Sequence, residues 1–289
     1  MGKILVTGST GRLGSAVLRS LAQKVPASSL VALARNARRT RSLTSMGIEV
    51  RYGDYADYKS LVAAFTGVDK IYLVSADVFS DRLSLHKNVI DAARRAGVRH
   101  VIYTSIQRLD QDQSPIQGLT DSDIATEALL KLSGLDYTIV WHPLYADELP
   151  TFIGDDATNK DFSAPAGQGR IALTSSDELA EAGAVLLSQE GHENRAYLLN
   201  SGQAWSFQEI AQTLSHLTGK AISYHLISAE TFIAAREAEG WPPIISDFVA
   251  GWFSAIEKGA FNETSSTLEE LLGRKPKGLE AILKGAFDL

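Results

Sequence analysis

Cysteine is absent from the 289-residue chain, which excludes disulfides, zinc–thiolate centres, iron–sulfur clusters and cysteine nucleophiles. Any covalent or metal chemistry must use other groups. Basic residues are also short: 28 Lys+Arg stand against 34 Asp+Glu, a formal charge of −6, and no long basic block interrupts that balance. The electrostatic footprint of a protein that neutralises many phosphates is therefore missing, and no nucleic-acid partner is expected. No apolar run reaches the ~18 residues that a bilayer-spanning helix needs. The apolar N-terminus runs into a glycine motif instead of a leader cleavage site, so a soluble, cytoplasmic protein without membrane insertion is expected.

What is there is a repeating alternation of apolar strands and helical patterns. Ile4 to Val6 ends at a glycine-rich turn, and Ala16, Val17, Leu18 and Leu21 follow at helical spacing. Leu30 to Ala34 precedes a basic helix from Asn36 to Met46, and Ile48 to Tyr52 precedes a helix about Tyr58 to Phe65. Further units run Lys70 to Val74 with a helix about Asp81 to Ala96, and Val98 to Thr104 with a helix about Asp121 to Leu132. Tyr137 to Val140 is the sixth strand. Buried strands alternating with helices predict an α/β fold with a doubly wound parallel sheet. Past Pro143 the regularity breaks, and the polar, glycine-rich stretch Pro150 to Arg170 reads as a long surface loop or lid. Periodicity then resumes with a helix from Asp177 to Leu187, a strand from Tyr197 to Asn200, a helix from Phe207 to Leu217 and a strand from Ile222 to Ile227. The expected organisation is a Rossmann-type dinucleotide-binding core over 1–145 and a smaller C-terminal α/β substrate lobe over 146–289 that returns segments (about 170–205) to the core.

The run Thr7-Gly8-Ser9-Thr10-Gly11-Arg12-Leu13-Gly14 places three glycines between the first strand and the first helix. There they permit a tight turn and close approach to a diphosphate, whose charge the helix N-terminus attracts. Dinucleotide folds that bind a free ribose 2′-hydroxyl place an acid ~20 residues further on. Arg35 stands there instead, and a guanidinium complements a phosphate. NADP(H) is thus the expected cofactor, with Gly8, Thr10, Gly11, Arg12, Leu13, Gly14 and Arg35 as its first contacts. Arg38, Arg39 and Arg41 read as a solvated helix face. Asp54 and Tyr55 follow the third strand where an adenine would lie, with a helix cap and a packing ring as their alternative roles. Ser75 and Ala76 end the fourth strand and Thr104 and Ser105 the fifth, at the edge where ligands of such sheets bind.

With Gly53-Asp54-Tyr55, Ala96-Gly97-Val98-Arg99-His100-Val101 and Tyr103-Thr104-Ser105 added to the glycine run and Arg35, the chain resembles the NmrA-like, atypical short-chain dehydrogenase/reductase group. Within it, the chain is similar to the bacterial NADPH:quinone oxidoreductase type 2 and triphenylmethane reductase branch. That resemblance implies a reductase that passes hydride from NADPH to a quinone-like or dye-like small-molecule electrophile. Ordinary short-chain dehydrogenases carry Tyr-x-x-x-Lys for proton transfer. Here the string Tyr55 to Lys59 opens the wrong helix, while Asp121 to Ala128 has neither residue, Ala128 standing where the group often has Lys. The segment Trp141-His142-Pro143-Leu144-Tyr145 also lacks the group's usual Arg. Tyr145 and His142 remain as candidate catalytic residues that orient an acceptor over the nicotinamide. Phe79, Trp141, Tyr145 and Phe152 would suit a flat ring near the mouth, or pack in a core.

His86 falls with Val89, Ile90 and Ala93 on the apolar side of its helix, which predicts a core or interface role. The other histidines show no metal-ligand spacing, and no nucleophile-elbow serine appears, so neither a metal nor a hydrolase is expected. Two further function classes stay open: a non-enzymatic NADP(H)-sensing regulator, and a nucleotide-sugar epimerase or dehydratase, which the missing proton-transfer pair disfavours. Homodimerisation is left open.

Overall fold

The computed structural model describes residues 2–78, 80–110, 115–116 and 118–289. In chain order the first half runs β1 (Lys3–Val6), α1 (Arg12–Leu21), β2 (Leu30–Ala34), α2 (Arg41–Ser45), β3 (Glu49–Tyr52), α3 (Tyr58–Phe65), β4 (Val68–Leu73), α4 (Arg82–Ala96), β5 (His100–Ile106), α5 (Thr120–Lys131) and β6 (Asp136–His142). The second half runs α6 (Leu149–Ile153), β7 (Phe162–Ala164), β8 (Arg170–Ile171), α7 (Ser176–Ser188), β9 (Arg195–Leu198), β10 (Trp205–Ser206), α8 (Phe207–Thr218), β11 (Tyr224–Leu226), α9 (Ala229–Ala238), α10 (Pro243–Glu257), α11 (Thr267–Leu272) and α12 (Leu279–Ala286). No helix among the described residues is long and apolar enough to cross a membrane.

The chain divides into two compact units. The first comprises 1–106, 121–141 and 176–198, and the second 107–120, 142–175 and 199–289. The first unit holds a parallel seven-stranded sheet in the order β3-β2-β1-β4-β5-β6-β9. Side chains alternate across such strands. Leu5, Val31, Leu33, Ile71, Leu73, Val101 and Tyr103 therefore share one face, where α3 and α4 supply Leu61, Phe65, Val89 and Ile90. On the other face α1 packs on α7. Gly183 lets α7 approach the sheet, since a Cβ there would sit 2.9 Å from the Tyr72 hydroxyl. The doubly wound α/β architecture expected from the sequence is present.

Three local readings need correction. The basic helix over Asn36 to Met46 is broken into a 3₁₀ turn at Ala37–Arg39 and the short α2. The break follows from local competition: the Asn36 side chain accepts the Arg38 N–H at 3.0 Å and the Thr40 hydroxyl donates to the Ala37 carbonyl at 3.0 Å. The strand expected at Tyr197 to Asn200 lies two residues earlier, as β9, where Arg195–Leu198 pairs with Thr138–Trp141. Finally, Pro150 to Arg170 is not a surface loop. It carries α6 and β7, buries Phe152, Ile153, Phe162, Ala164 and Ala166, and pairs β7 with β11 in the second unit. Its few apolar residues, spaced without period, are the ones that go inside.

The second unit is built on aromatic packing. Phe152 meets the Trp252 and Phe253 rings edge-on at 6.0 and 5.6 Å, and Trp252 stacks on Phe261 at 4.8 Å. Phe152 is thus a core residue of that unit, not part of a mouth. Phe79 lies outside the described residues.

Candidate active site

In the sheet of the first unit the strand order reverses between β1 and β4, which is where open α/β sheets bind ligands beyond their carboxyl ends. The glycine run fills that position. Gly8 adopts φ +57°, a left-handed conformation that favours glycine, and the Gly11 N–H closes the turn on the Gly8 carbonyl at 2.9 Å. A Cβ on Gly14 would lie 2.4 Å from that same carbonyl oxygen, so glycine is what lets α1 pack against the turn. Gly11 caps α1 with no side-chain hydrogen bond, and no acid sits in the first turn. The positive end of the helix is thereby left for an anion. Thr10 and Arg12 stand on the accessible side of the loop while Leu13 is buried.

Tyr55 braces both walls of this crevice. Its hydroxyl lies 2.5 Å from Thr7 Oγ1 and donates to the Val74 carbonyl at 2.8 Å, tying the end of β1 to the end of β4. Burial pushes its pKa up, so it stays protonated, and the Tyr55 to Lys59 string has no proton-transfer geometry: Lys59 is exposed in the first turn of α3. Asp54 is exposed, with Oδ1 accepting the Ala56 N–H at 2.9 Å. The cap of α3 falls to Asp57. Arg35, at the end of β2, is exposed and forms no ion pair among the described residues, as do Arg38, Arg39 and Arg41.

The ends of β4 and β5 carry a buried polar network. Arg82 opens α4, donates to Asp123 Oδ1 at 2.9 Å, to Ser75 Oγ at 2.6 Å and to Ser122 Oγ at 2.9 Å, and also bonds the Ala76 carbonyl. Tyr103 donates to the same Asp123 carboxylate. His86 Nε2 accepts the Ala76 N–H at 2.9 Å, which assigns the proton to Nδ1, facing Thr126 Oγ1 at 2.9 Å. Burial, then Arg82, holds the His86 pKa down at about 3, so the ring is neutral. Burial raises the Asp123 and Tyr103 pKa values, with Arg82 opposing in both cases. The Ser75 N–H is taken by Thr104 Oγ1 at 2.9 Å. Both N–H groups of the Ser75-Ala76 pair, the Ser75 hydroxyl and the Ala76 carbonyl are thus engaged by protein groups.

Sequence reasoning placed His86 inside but missed Arg82, Asp123 and Glu127. One signal was available: a cation in the first turn of a helix opposes the helix dipole and calls for a buried counter-charge. Glu127, one turn beyond Asp123 on α5, accepts from Ser105 Oγ at 2.5 Å and from the Trp141 indole N–H at 3.0 Å. Trp141 is thus committed through its N–H to the first unit.

In the second unit, His142 Nδ1 and the Tyr145 hydroxyl are 3.0 Å apart. Burial lowers the His142 pKa to about 3, and its Nε2 is buried with no partner among the described residues. Thr174 Oγ1 is buried without a partner too, in the strand-like bridge that Thr174 forms with Tyr145. No group of three or more His, Asp or Glu among the described residues is placed to hold a metal ion.

The donor set at the β1–β4 crevice fits a phosphorylated dinucleotide: a cradle that side chains would fill, an uncapped helix terminus and an exposed guanidinium at the β2 edge. Comparison with known proteins agrees. The chain is 35% identical to quinone oxidoreductase 2 of Escherichia coli (strain K12), over 99% of each chain. The structure of a Citrobacter sp. triphenylmethane reductase complexed with NADP(H) superposes with a TM-score of 0.91 at 35% identity, covering 98% of this chain and 100% of the other. That of an NADPH-dependent quinone oxidoreductase complexed with NADPH, from E. coli, gives 0.92 at 35% identity over 98% and 99%. The NmrA-like family matches residues 1–279 of the chain, which accordingly belongs to that family.

Proposed function

We propose that the chain is an NADPH-dependent reductase that delivers hydride to a planar small-molecule electrophile of the quinone or cationic-dye class. The observation that carries this reading is the exposed Arg35 beside the glycine cradle, with no acid at the ribose position. The likeness to a quinone reductase and a triphenylmethane reductase supplies the acceptor class. When bound, NADPH provides the reducing equivalent; this chain supplies the rest. Arg35 and Arg12 hold the 2′-phosphate, the Gly8–Gly14 turn and the α1 terminus hold the diphosphate, and Asp54 Oδ2 accepts from the adenine amino group. Ser75, Ala76, Thr104 and Ser105 border the nicotinamide half, and Tyr55 keeps the crevice open.

Quinones and dye cations accept hydride without a strong acid, so the absent Tyr-x-x-x-Lys is no obstacle. His142 and Tyr145 orient the acceptor. Since His142 is neutral, one of its nitrogens carries a proton. With that proton on Nδ1, the imidazole donates to Tyr145 Oη and fixes the orientation of the phenol. The reading makes the protein a cytoplasmic enzyme working on the NADPH pool there, and sedimentation distinguishes a monomer from a homodimer. Anaerobic mixing with NADPH and a panel of quinones and triphenylmethane dyes tests it. Turnover on at least one acceptor is expected; tight cofactor binding with no turnover on any of them supports the regulator instead.

A further inference from the structure

The hydroxyls at the ends of β4 and β5 differ in what they have left to offer. Ser75 Oγ accepts from Arg82 at 2.6 Å and faces Asp123 Oδ1 at 3.3 Å. Tyr103 gives its proton to Asp123. Thr104 Oγ1 accepts the Ser75 N–H at 2.9 Å and donates to the Leu73 carbonyl at 3.4 Å. Ser105 is the exception. Its Oγ has a single partner among the described residues, Glu127 Oε1 at 2.5 Å.

A third residue shares that acceptor. The Trp141 indole can only donate, and it donates at 3.0 Å to the same Glu127 Oε1. Ser105 Oγ donates to Oε1 as well, so Oε1 accepts in both contacts and the proton between Glu127 and Ser105 is the serine's own. A serine whose proton is spent has only lone pairs to present. It binds hydrogen-bond donors and turns away carbonyl oxygens.

Ser105 also stands at a defined distance along the crevice. With the diphosphate cradle on β1 and Arg35 on β2, the other half of a dinucleotide must run the opposite way, over β4 and β5. At ~4.8 Å per strand, β5 is ~10 Å from β1, within the reach of a ribose and its base. That half of the cofactor offers ribose hydroxyls and a carboxamide NH₂, both donors. We propose that Glu127 is a positioning residue that fixes Ser105 as a hydrogen-bond acceptor for the nicotinamide half of the cofactor, and that Ser105 is not a donor to the substrate. The proposal rests on the cofactor reading given above.

The test compares two ligands: NADPH, and 2′-phospho-ADP-ribose, which lacks the nicotinamide. Both are titrated into the full chain carrying Ser105→Ala, Ser105→Thr, Glu127→Leu or Glu127→Gln. Losing one hydrogen bond should weaken NADPH by roughly three- to tenfold in Ser105→Ala and Glu127→Leu, and leave the fragment unchanged. Ser105→Thr keeps the acceptor, and the Glu127→Gln amide oxygen still accepts from Ser105 and Trp141, so both should bind like wild type. A merely structural role would weaken both ligands alike. If Ser105→Ala binds NADPH as wild type does, or loses both ligands equally, the proposal is overturned while the cofactor reading stands. Wild-type protein that binds neither ligand overturns the cofactor reading and this proposal with it. Should Glu127→Leu fail to fold, Ser105→Ala against Ser105→Thr decides the matter alone.

Discussion

The ends of β4 and β5 and the His142–Tyr145 pair treat buried polar atoms differently. At the ends of β4 and β5 in the first unit, Arg82, Asp123, Tyr103, His86 and Ser75 satisfy one another, down to the direction of individual protons. In the second unit, His142 Nε2 and Thr174 Oγ1 lie buried with no partner among the described residues. An unsatisfied buried polar group costs about 1–3 kcal/mol, and the first unit carries that cost too, at His100 Nδ1 and His192 Nε2, away from the carboxyl ends of β4 and β5. On the proposed function, the strand ends that border the cofactor are pre-organised, whereas the His142–Tyr145 pair keeps hydrogen-bonding capacity in reserve.

The most severe way to break this contrast is to remove one member of the buried ion pair. Asp123→Ala leaves the Arg82 guanidinium inside without its counter-charge, and a loss of about 3–5 kcal/mol is expected in urea denaturation. Replacing both partners, Arg82→Met with Asp123→Leu, should recover most of that loss. A double variant no more stable than the single one would mean that the pair is not what Asp123 contributes.

Next in size is the cofactor preference. Arg35→Asp should abolish or reverse the choice of NADP(H) over NAD(H), a change of roughly ten- to a hundredfold. Titration of both nucleotides checks it, and equal wild-type affinities would sink the assignment. On the acceptor side, Tyr145→Phe removes an orienting bond and should lower kcat by less than about a hundredfold. A loss near a thousandfold would make Tyr145 an indispensable acid.

The last effect is a pH dependence common to both units. His86 and His142 have pKa values held at about 3, below the ordinary 6.5, so between those limits the unfolded chain binds protons that the folded chain refuses. Stability therefore rises with pH across this window and is lost as pH falls below about 6.5, at ~1.4 kcal/mol per pH unit for each histidine. Calorimetry at pH 5 should show about one proton fewer taken up on unfolding in His86→Gln than in wild type. An unchanged uptake would show that His86 is already charged in the fold.

How much of this was legible in the sequence depended on how local the signal was. Gly8, Gly11, Gly14 and Arg35 declare themselves through their spacing after an apolar run, because the turn imposes the glycine spacing and the proposed ribose contact that of Arg35. The helices and strands of the βα repeats follow from periodicity, except between Asn36 and Met46, where side-chain bonds to the backbone break the expected helix. Arg82, Asp123 and Tyr103 are far apart in the chain and form a unit only once β4, β5 and α5 are assembled, so beyond the place of Arg82 in the first turn of α4 nothing local marks them. His86 was legible as a buried residue from its helical phase, but its bond to the Ala76 N–H was not. Pro150 to Arg170 misleads for a related reason: Phe152, Ile153 and Phe162 are scattered among polar residues, and only the aromatic packing of the second unit shows that they are core.

The central claim, that the chain moves hydride directly from NADPH to a planar electrophile, is tested most directly by single-turnover, anaerobic mixing with a quinone. NADPH deuterated at the transferred C4 position is compared with unlabelled cofactor. Stoichiometric oxidation of the nicotinamide, slowed by the deuterium, is the predicted result. Cofactor that binds tightly yet stays reduced in the presence of every quinone and dye tried would contradict it.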